Sequence, residues 1–299
     1  MNAIVSECWT YPLKAAGGIA LEQATLTPLG IELDRKYMLV THDNKFISQR
    51  NFPKMALLSL ELRGEDLIVS YPGMGDIVIG PTLEMNEKPF KVTMHKQGDA
   101  LEEILVCQLG GEKASQWFSE ALKPGKKGPL KLVTRAPDFV REVESDFLNG
   151  QSAATNLSDG YPFLVVEKND FALVNHELLS RSQPPLDVRR IRPNIVVEGL
   201  EAWSIMHNGR LCTESASLEL VKPSSRCKVI RTNQDTGDID IDSSVLSEVL
   251  PQINREMIGL NKACFGQNAV LLGPDLKSLS VGQNVSFVKK IAEEHNPGN

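Results

Sequence analysis

The chain has 299 residues, of which 41% are hydrophobic and 23% are charged, a composition typical of a soluble globular protein with one large domain or two smaller ones. The formal net charge of −6 leaves no broad basic surface, which argues against a nucleic-acid partner, although a few converging arginines would still bind a small anion. No apolar run approaches the ~20 residues that span a bilayer, so we expect no membrane partner.

Five cysteines are spread along the chain without any Cys-x-x-Cys pair: Cys8, Cys107, Cys212, Cys227 and Cys264. Their number and spacing predict neither a disulfide framework nor a zinc or iron–sulfur site. They fit a reducing compartment, and the first residues form no charged and apolar leader. We therefore expect a cytoplasmic protein.

Short strands are expected in the first hundred residues. Leu58, Leu60 and Leu62 alternate with polar neighbours, which indicates a half-buried strand. Turn residues separate this segment from apolar runs at 67–69 and 77–79. Strands at this spacing are typical of a small barrel or sandwich.

The first helix is predicted at 112–123. Its apolar residues fall on one helical face, and Pro124 and Gly125 follow as helix-ending residues. A returning strand is expected at 130–133.

The second half mixes both element types. The sequence predicts strands at 163–166, 195–197, 218–221 and 228–231, and helices around 171–178 and 245–250. Pro251 is expected to end the last helix, and 233–237 has the composition of a hairpin turn.

These elements predict a mixed, β-rich fold of the α+β class with two domains. We place the first domain at 1–134 and the second at 135–290, and we expect 291–299 to be a frayed tail.

Cys227 is the candidate for metal or nucleophilic chemistry. A free cysteine is most often a small buried hydrophobic residue. Here Arg226 and Lys228 flank it, and positive charge favours the thiolate, the form that soft metals and nucleophilic chemistry require. The other four cysteines lack such neighbours, so we interpret them as structural.

Two further segments carry candidate anion ligands. Arg192 precedes Pro193, which should hold its backbone extended and aim the guanidinium, a group that matches phosphate geometry. Asn194 can donate and accept hydrogen bonds. Lys14 precedes the small residues 15–18, which would let a ligand approach the backbone. Taken alone, Arg192-Pro193-Asn194 is far more typical of an exposed arginine at the start of a strand followed by an ordinary asparagine turn.

The triplet Asp235-Thr236-Gly237 matches an aspartic-protease motif, but it occurs once and lies in a predicted hairpin turn. The five histidines show no metal-ligand spacing. Neither feature predicts chemistry.

Motif fragments in both halves share an order and spacing with a known group of proteins. They are Tyr11-Pro12-x-Lys14, Gly30, Asp34-Arg35 and Arg50, followed by Ser158-Asp159-Gly160-Tyr161-Pro162-Phe163, Arg190-x-Arg192-Pro193-Asn194, Lys222-Pro223-x-Ser225-Arg226-Cys227, Asp235-Thr236-Gly237, Phe265-Gly266-Gln267-Asn268 and Val281-Gly282. The chain resembles the MOSC superfamily, the molybdenum-cofactor sulfurase C-terminal-like proteins. It is most similar to the two-domain subgroup of mitochondrial amidoxime-reducing components and bacterial YcbX-like proteins. The resemblance implies an N-terminal β-barrel domain followed by a MOSC β-barrel domain with peripheral helices.

The resemblance also implies a molybdenum cofactor, molybdopterin with its metal. The residues that would bind it are Lys14, Arg35, Gly160, Tyr161, Arg192, Asn194, Ser225 and Cys227. Lys14, Arg35 and Arg192 would hold the phosphate and the pterin. Cys227 would supply the thiolate that binds the metal and would thus be the catalytic residue.

The expected activity is the reduction of small N-hydroxylated substrates, such as amidoximes, hydroxylamines and N-hydroxylated bases, to amines or amidines. Because the chain has no cysteine cluster of its own, electrons are expected from a separate reductase or from a ferredoxin or cytochrome b5-type carrier.

Two alternatives stay open from the sequence. One is a cofactor carrier or sulfur-transfer protein without its own turnover. The other is a structural protein that keeps the fold without the cofactor. Ala15 and Ser224, which stand where the family frequently has serine and cysteine, favour this last alternative.

Overall fold

In the computed structural model, which describes residues 1–86, 88–95, 101–148 and 150–290, these stretches form 18 strands and four α-helices. The strands are β1 (Asn2–Thr10), β2 (Ile19–Leu21), β3 (Gln23–Thr27), β4 (Gly30–Ile31), β5 (Tyr37–Val40), β6 (Ser59–Arg63), β7 (Asp66–Ser70), β8 (Ile77–Ile79), β9 (Phe90–His95), β10 (Leu101–Leu109), β11 (Lys131–Arg135), β12 (Phe163–Glu167), β13 (Ile195–Glu198), β14 (Gly209–Cys212), β15 (Ser217–Ser225), β16 (Cys264–Leu271), β17 (Lys277–Ser280) and β18 (Asn284–Lys289). The helices are α1 (Gly111–Leu122), α2 (Lys168–Ser180), α3 (Val188–Ile191) and α4 (Ser243–Ile258). The mixed, β-rich fold class is confirmed, whereas the tail predicted at 291–299 lies outside the described residues.

Seven of the eight strands in the largest sheet form a closed barrel, and the eighth, β2, pairs with β1. The strand order is β13-β12-β16-β15-β14-β18-β1, and β1 closes the barrel by pairing antiparallel with β13. The β12–β13 pair is parallel, and the other neighbouring pairs are antiparallel. Buried side chains from these strands, including Val5, Phe163 and Ile195, pack into one apolar core.

The first strands of the chain belong to sheets of the second half. Val5 on β1 lies opposite Val197 on β13, and Ala3 lies opposite Val285 on β18. β3 pairs with β17 in a smaller sheet. These pairings cross the domain boundary at 134/135, which stays a prediction.

The rest of the first half contains two open sheets and one helix. The sheet orders are β5-β11-β10-β9 and β6-β7-β8, so the strands predicted around Leu60, at 67–69 and at 77–79 are confirmed. The predicted helix is α1, which ends at Lys123 in the left-handed conformation. None of the described helices is long and apolar enough to cross a membrane.

The strand predicted at 228–231 is wrong, because these residues form a 3-10 helix, Lys228–Arg231. β15 ends at Ser225, and Ile230 enters a buried apolar cluster on the outside of the barrel with residues of α2 and α4. Two apolar residues between charged ones fit a strand or a helical turn equally well, so tertiary packing decides between them.

Pro251 does not end the last helix, because α4 continues through it to Ile258. Buried Leu250 and Ile253 stand on either side of the proline in the same apolar cluster. The Asn254 side chain also donates to the Leu250 carbonyl at 2.8 Å. Burial of a continuous apolar face offsets the hydrogen bond that proline cannot donate.

Candidate active-site cavity

A cavity of about 560 Å³ lies between residues of the two halves of the chain, within the size range of small-molecule sites. All eight residues predicted from the sequence line it: Lys14, Arg35, Gly160, Tyr161, Arg192, Asn194, Ser225 and Cys227. The structure thus brings together positions more than two hundred residues apart. Their individual roles stay predictions.

The wall of the cavity is strongly cationic. Six basic side chains line it: Lys14, Arg35, Arg50, Arg192, Arg226 and Lys228. Asp159 is the one acidic residue among the described lining residues. The whole chain carries a net charge of −6, so the positive charge of the cavity is opposite in sign to the net charge of the protein. A concave site of one sign attracts ligands of the other.

Arg192 does not have the extended backbone that its position before proline predicted. It ends α3 in the left-handed conformation, with φ 62° and ψ 45°, and its N–H donates to the Val188 carbonyl at 2.7 Å. The buried guanidinium donates from Nη1 to the Ala16 carbonyl at 2.6 Å. A residue before proline prefers extended backbone. Here the hydrogen bond that closes the helical turn and the hydrogen bond to Ala16 together outweigh that preference.

Arg35 is held by an adjacent carboxylate. Its Nη1 donates to both carboxylate oxygens of buried Asp34 at 2.6 Å, and its Nη2 donates to the Arg192 carbonyl at 3.1 Å. Burial raises the pKa of Asp34 above its ordinary value, while Arg35 opposes that shift. The pair therefore fixes one cationic group at the cavity wall.

Lys14 is tied to the segment that precedes Gly160. Its Nζ donates to the Leu157 carbonyl at 2.6 Å and to Asp159 Oδ1 at 2.5 Å. Burial lowers the pKa of Lys14, and the Asp159 carboxylate opposes that shift. The ammonium thus joins the first half of the chain to the opposite wall of the cavity.

Arg141 supports the same wall from behind. It is buried and donates to the carbonyls of Asn156 at 3.0 Å and Ser158 at 2.5 Å. It also forms an ion pair with Glu102 on β10. This bracing fixes the backbone that leads to Gly160.

Tyr161 and Asn194 line the cavity, but their side chains form hydrogen bonds within the fold. The Tyr161 hydroxyl donates to the Glu144 carbonyl at 3.3 Å. Asn194 Oδ1 accepts from the Leu164 N–H at 3.1 Å, and its Nδ2 donates to the Trp9 carbonyl at 3.3 Å. Asn194 therefore holds β1, β12 and β13 together beside the cavity.

Cys227 follows the end of β15 and caps the 3-10 helix Lys228–Arg231, with its side chain half-buried at the cavity. Arg226 next to it donates from Nη2 to the Ile191 carbonyl at 2.7 Å and from Nη1 to Ser224 Oγ at 3.2 Å. Burial lowers the pKa of the Arg226 guanidinium, and Cys227 opposes that shift. Cys227 is the one cysteine at the cavity wall in the described part of the chain.

Ser225 is exposed at the cavity, and its hydroxyl lies 3.8 Å from the Cys264 sulfur. Cys264 itself is buried, and burial raises the pKa of its thiol. That environment agrees with the structural role expected for the cysteines other than Cys227.

Arg190, from the motif fragment Arg190-x-Arg192-Pro193-Asn194, does not line the cavity. It forms a two-pronged ion pair with Asp240, with both N–O distances 2.7 Å. The pair fastens α3 to the segment after the 233–237 turn.

Three buried hydrogen-bond donors at the cavity have no protein partner: Arg192 Nη2, Arg226 Nε and Asn268 Nδ2. A buried donor without an acceptor is costly. Since all three groups donate and two belong to cations, the cavity suits an anionic ligand rich in oxygen acceptors. A phosphate-bearing pterin satisfies this description, so the residues present fit the cofactor that the sequence resemblance implies.

Sequence reasoning did not assign Arg226 or Asn268 to the site. Both occur in the motif fragments, which was the available signal, but Arg226 was interpreted only as a charge beside Cys227. Their unpartnered donor atoms depend on which neighbours surround them, and that becomes visible only in the fold.

Family comparison identifies both parts of the chain. Residues 2–124 match the MOSC N-terminal beta barrel domain, and residues 153–286 match the MOSC domain. The chain therefore belongs to the MOSC-domain proteins that carry a MOSC N-terminal beta barrel domain, as the resemblance predicted.

Individual relatives cover most of the chain at low identity. It is 25% identical over 251 residues to mitochondrial amidoxime reducing component 2 of Bos taurus, covering 79% of this chain and 68% of that protein. It is 26% identical over 242 residues to mitochondrial amidoxime-reducing component 1 of Homo sapiens, covering 78% and 67%. With molybdenum cofactor sulfurase of Bos taurus it shares 24% identity over 98% of this chain but only 33% of that protein. Among solved structures, the YUAD protein from Bacillus subtilis aligns with 97% of this chain and 98% of its own, with 9% identity and a TM-score of 0.41.

Proposed function

We propose that the cavity binds a molybdenum cofactor and that the protein is an oxidoreductase that reduces N-hydroxylated compounds. The observation that carries this proposal is the convergence of a single cysteine, several cations and three unpartnered buried donors on one cavity. The names of the related amidoxime-reducing components and of the molybdenum cofactor sulfurase support it.

The chain would contribute binding and orientation. Arg192 Nη2 and Arg226 Nε are the unpartnered donors that would donate to phosphate or pterin oxygens, and Lys14 would add a point charge. The Cys227 thiolate would be the protein ligand of the metal. When bound, the cofactor supplies the two-electron redox chemistry, and the protein supplies the electrostatic setting.

Reduction of an N–OH group to N–H consumes two electrons and two protons and releases one water. The electrons would come from a separate reductase or from a ferredoxin or cytochrome b5-type carrier. In this proposal the basic residues hold the cofactor, so they should affect its retention more than the choice of substrate.

The experiment compares wild type with Cys227→Ser after expression in a molybdenum-replete host. We expect near-stoichiometric molybdenum and pterin fluorescence in the wild type and loss of molybdenum in the variant. Cys212→Ser is the matched control, because that cysteine is half-buried and does not line the cavity. Benzamidoxime reduction with an artificial electron donor should then follow the molybdenum content.

Absence of molybdenum and pterin from the wild type, in a host shown to make the cofactor, would contradict the proposal. Unchanged reduction by Cys227→Ser would contradict the role of the thiolate.

A second candidate is a cofactor carrier or sulfur-transfer protein. The alignment of nearly the whole chain with part of the molybdenum cofactor sulfurase favours it. A carrier would contain molybdenum and pterin, fail to reduce benzamidoxime, and transfer its cofactor or sulfur to an acceptor enzyme.

A further inference from the structure

Two guanidinium groups of the cavity lie over the same aromatic ring. The Arg35 Cζ is 4.4 Å from the centroid of the Tyr11 ring, and the Arg192 Cζ is 4.3 Å from it. Both distances are within the range of a cation–π contact. Tyr11 is fully buried, so the contacts form away from bulk water, where such attraction is strongest.

Bringing these two cations together has an electrostatic cost. Burial, and then the charge of Arg35, lower the pKa of Arg192 to about 10, while the Asp34 carboxylate opposes that shift. Arg35 has the Asp34 carboxylate as a partner, but within the described residues Arg192 forms no ion pair. The face of the Tyr11 ring is a group in direct contact with Arg192 that can offset its charge.

The ring is held in place from several directions. The Tyr11 N–H donates to Asp34 Oδ1, and its carbonyl accepts from the Arg35 N–H, each at 2.9 Å. The Trp9 ring stacks on it with centroids 6.4 Å apart. At Gly18 an added Cβ would lie 2.4 Å from Tyr11 Cε1, so only glycine allows the ring this position.

The phenol hydroxyl contributes little to this arrangement. It is buried and has no hydrogen-bond partner. The useful property of Tyr11 is therefore the ring face, which phenylalanine would also provide.

We propose that Tyr11 is a positioning residue whose ring holds Arg35 and Arg192 at the cavity wall, so that the two form one subsite for a phosphate monoester. Arg192 lines the cavity, and its Nη2 is buried without a partner, so this subsite has a donor in need of an acceptor. That the phosphate belongs to a molybdopterin rests on the proposed function. That the ring holds the two arginines does not rest on the proposed function.

The test replaces Tyr11 with phenylalanine and then with its 4-fluoro, 3,5-difluoro and 3,4,5-trifluoro analogues. Fluorine withdraws electron density from the ring face while it largely preserves the shape. The full chain is made in a host unable to synthesise the cofactor, and inorganic phosphate binding is measured by calorimetry. We expect Tyr11→Phe to bind within threefold of wild type and the affinity to fall stepwise, by about tenfold at the trifluoro analogue.

The same analogues at Phe118 are the matched control. Phe118 is also fully buried and packs edge to face against Trp117, and it does not line the cavity. Its substitution should leave phosphate affinity unchanged, and the midpoint of thermal unfolding is recorded for every variant.

Equal phosphate affinity across the Tyr11 series would overturn the inference, and so would a wild type that does not bind phosphate. A stepwise loss of phosphate binding combined with a wild type that never acquires molybdenum would support the inference and reject the proposed function.

Discussion

At the scale of single residues, Asp170 is a buried acid outside the cavity. Its Oδ1 accepts from the Trp203 N–H at 2.6 Å, and its Oδ2 is buried without a partner. Glu167, also fully buried, has an unpartnered Oε2 of its own. Burial raises the pKa of Asp170 to about 8, and Glu167 adds to the rise. Asp170 is therefore protonated in the folded protein over much of the pH range in which the same carboxyl is ionised in the unfolded chain.

Replacement of Asp170 by asparagine should make stability less dependent on pH. Between a pKa of ~3.9 in the unfolded chain and about 8 in the fold, the folded state holds a proton that the unfolded state releases. The wild type should therefore lose stability as the pH rises through this window, by about 1 kcal/mol per pH unit from this group. The variant has no proton to release and keeps the oxygen that accepts from Trp203.

Urea denaturation between pH 5 and 8 measures this dependence. Asp76→Asn, at an exposed position, is the control. If Asp170→Asn showed the same pH slope as the wild type, the proton assigned to Asp170 would be wrong.

At the scale of elements, the 232–239 hairpin joins the two halves of the chain. Thr232 and Ile239 form its antiparallel bridge. Lys54 donates to the Thr236 carbonyl at 2.8 Å, and the side-chain amides of Gln49 and Gln234 bond reciprocally at 3.2 and 3.0 Å.

This hairpin also bears on the cavity. Gln49 donates to the Ala15 carbonyl at 2.9 Å, while its neighbours Ser48 and Arg50 line the cavity. The hairpin follows the Cys227 segment directly. It therefore connects the cavity wall that contains Cys227 to the wall that contains Ser48 and Arg50. The Asp235-Thr236-Gly237 triplet belongs to this structural contact.

Replacement of Gly237 by alanine should weaken the contact. Gly237 has φ +66°, and an added Cβ would lie 3.1 Å from Lys54 Cα. Gly259→Ala is a matched control, because Gly259 has φ +67° with nothing within 4 Å of an added Cβ. The control should lose about 1 kcal/mol of unfolding free energy from backbone strain alone. Gly237→Ala should lose roughly 1 kcal/mol more, because the Lys54 backbone must move.

Chemical denaturation of the two variants measures this difference. Equal losses would show that the close approach to Lys54 contributes nothing to stability.

The sequence predicted elements well where one pattern was dominant. β12 and β13 are short buried apolar runs that read as strands, and α1 has a clear apolar face. The segment 228–231 is too short to show a hydrophobic period. The continuation of α4 through Pro251 depends on the burial of its apolar face, whereas the expectation that proline ends a helix considers only the local backbone. The left-handed backbone of Arg192 likewise accompanies two contacts, the turn that its N–H closes onto the Val188 carbonyl and the long-range hydrogen bond to Ala16.

The candidate site was predicted as a set of residues but not as an arrangement. Family resemblance, rather than any single motif, brought Lys14 and Cys227 into one hypothesis. The unpartnered donors of Arg226 and Asn268 and the shared contact of two arginines with the Tyr11 ring depend on contacts among distant segments. No spacing in the chain encodes these contacts directly.

At the scale of the whole molecule, the second domain as predicted from the sequence lacks one strand of its own barrel. β1 lies between β13 and β18, so residues 135–290 alone would leave both of those strands with an open edge. Unpaired edges promote association between chains.

We expect a fragment of residues 135–290 to aggregate or to unfold without a cooperative transition. The rescue is a permuted fragment in which a short Gly/Ser linker joins residue 290 to residues 1–31. The geometry favours this link, because the Phe287 N–H donates to the Met1 carbonyl at 2.7 Å and the Met1 amino group donates back to the Phe287 carbonyl at 3.0 Å. Gel filtration and thermal unfolding compare the two fragments, and a cooperative transition in residues 135–290 alone would contradict the prediction.

The closure of the barrel by β1 also affects how the protein is made. The ribosome synthesises β1 long before its neighbour β18, which emerges only after Asn284–Lys289 has been translated. At typical rates of translation this interval is roughly 15 to 60 s. Val5 and Cys8, buried in the finished barrel, have no complete barrel to enter during that time. During this interval β1 lacks its β18 neighbour and the barrel stays open, so its apolar side chains are available to holding chaperones.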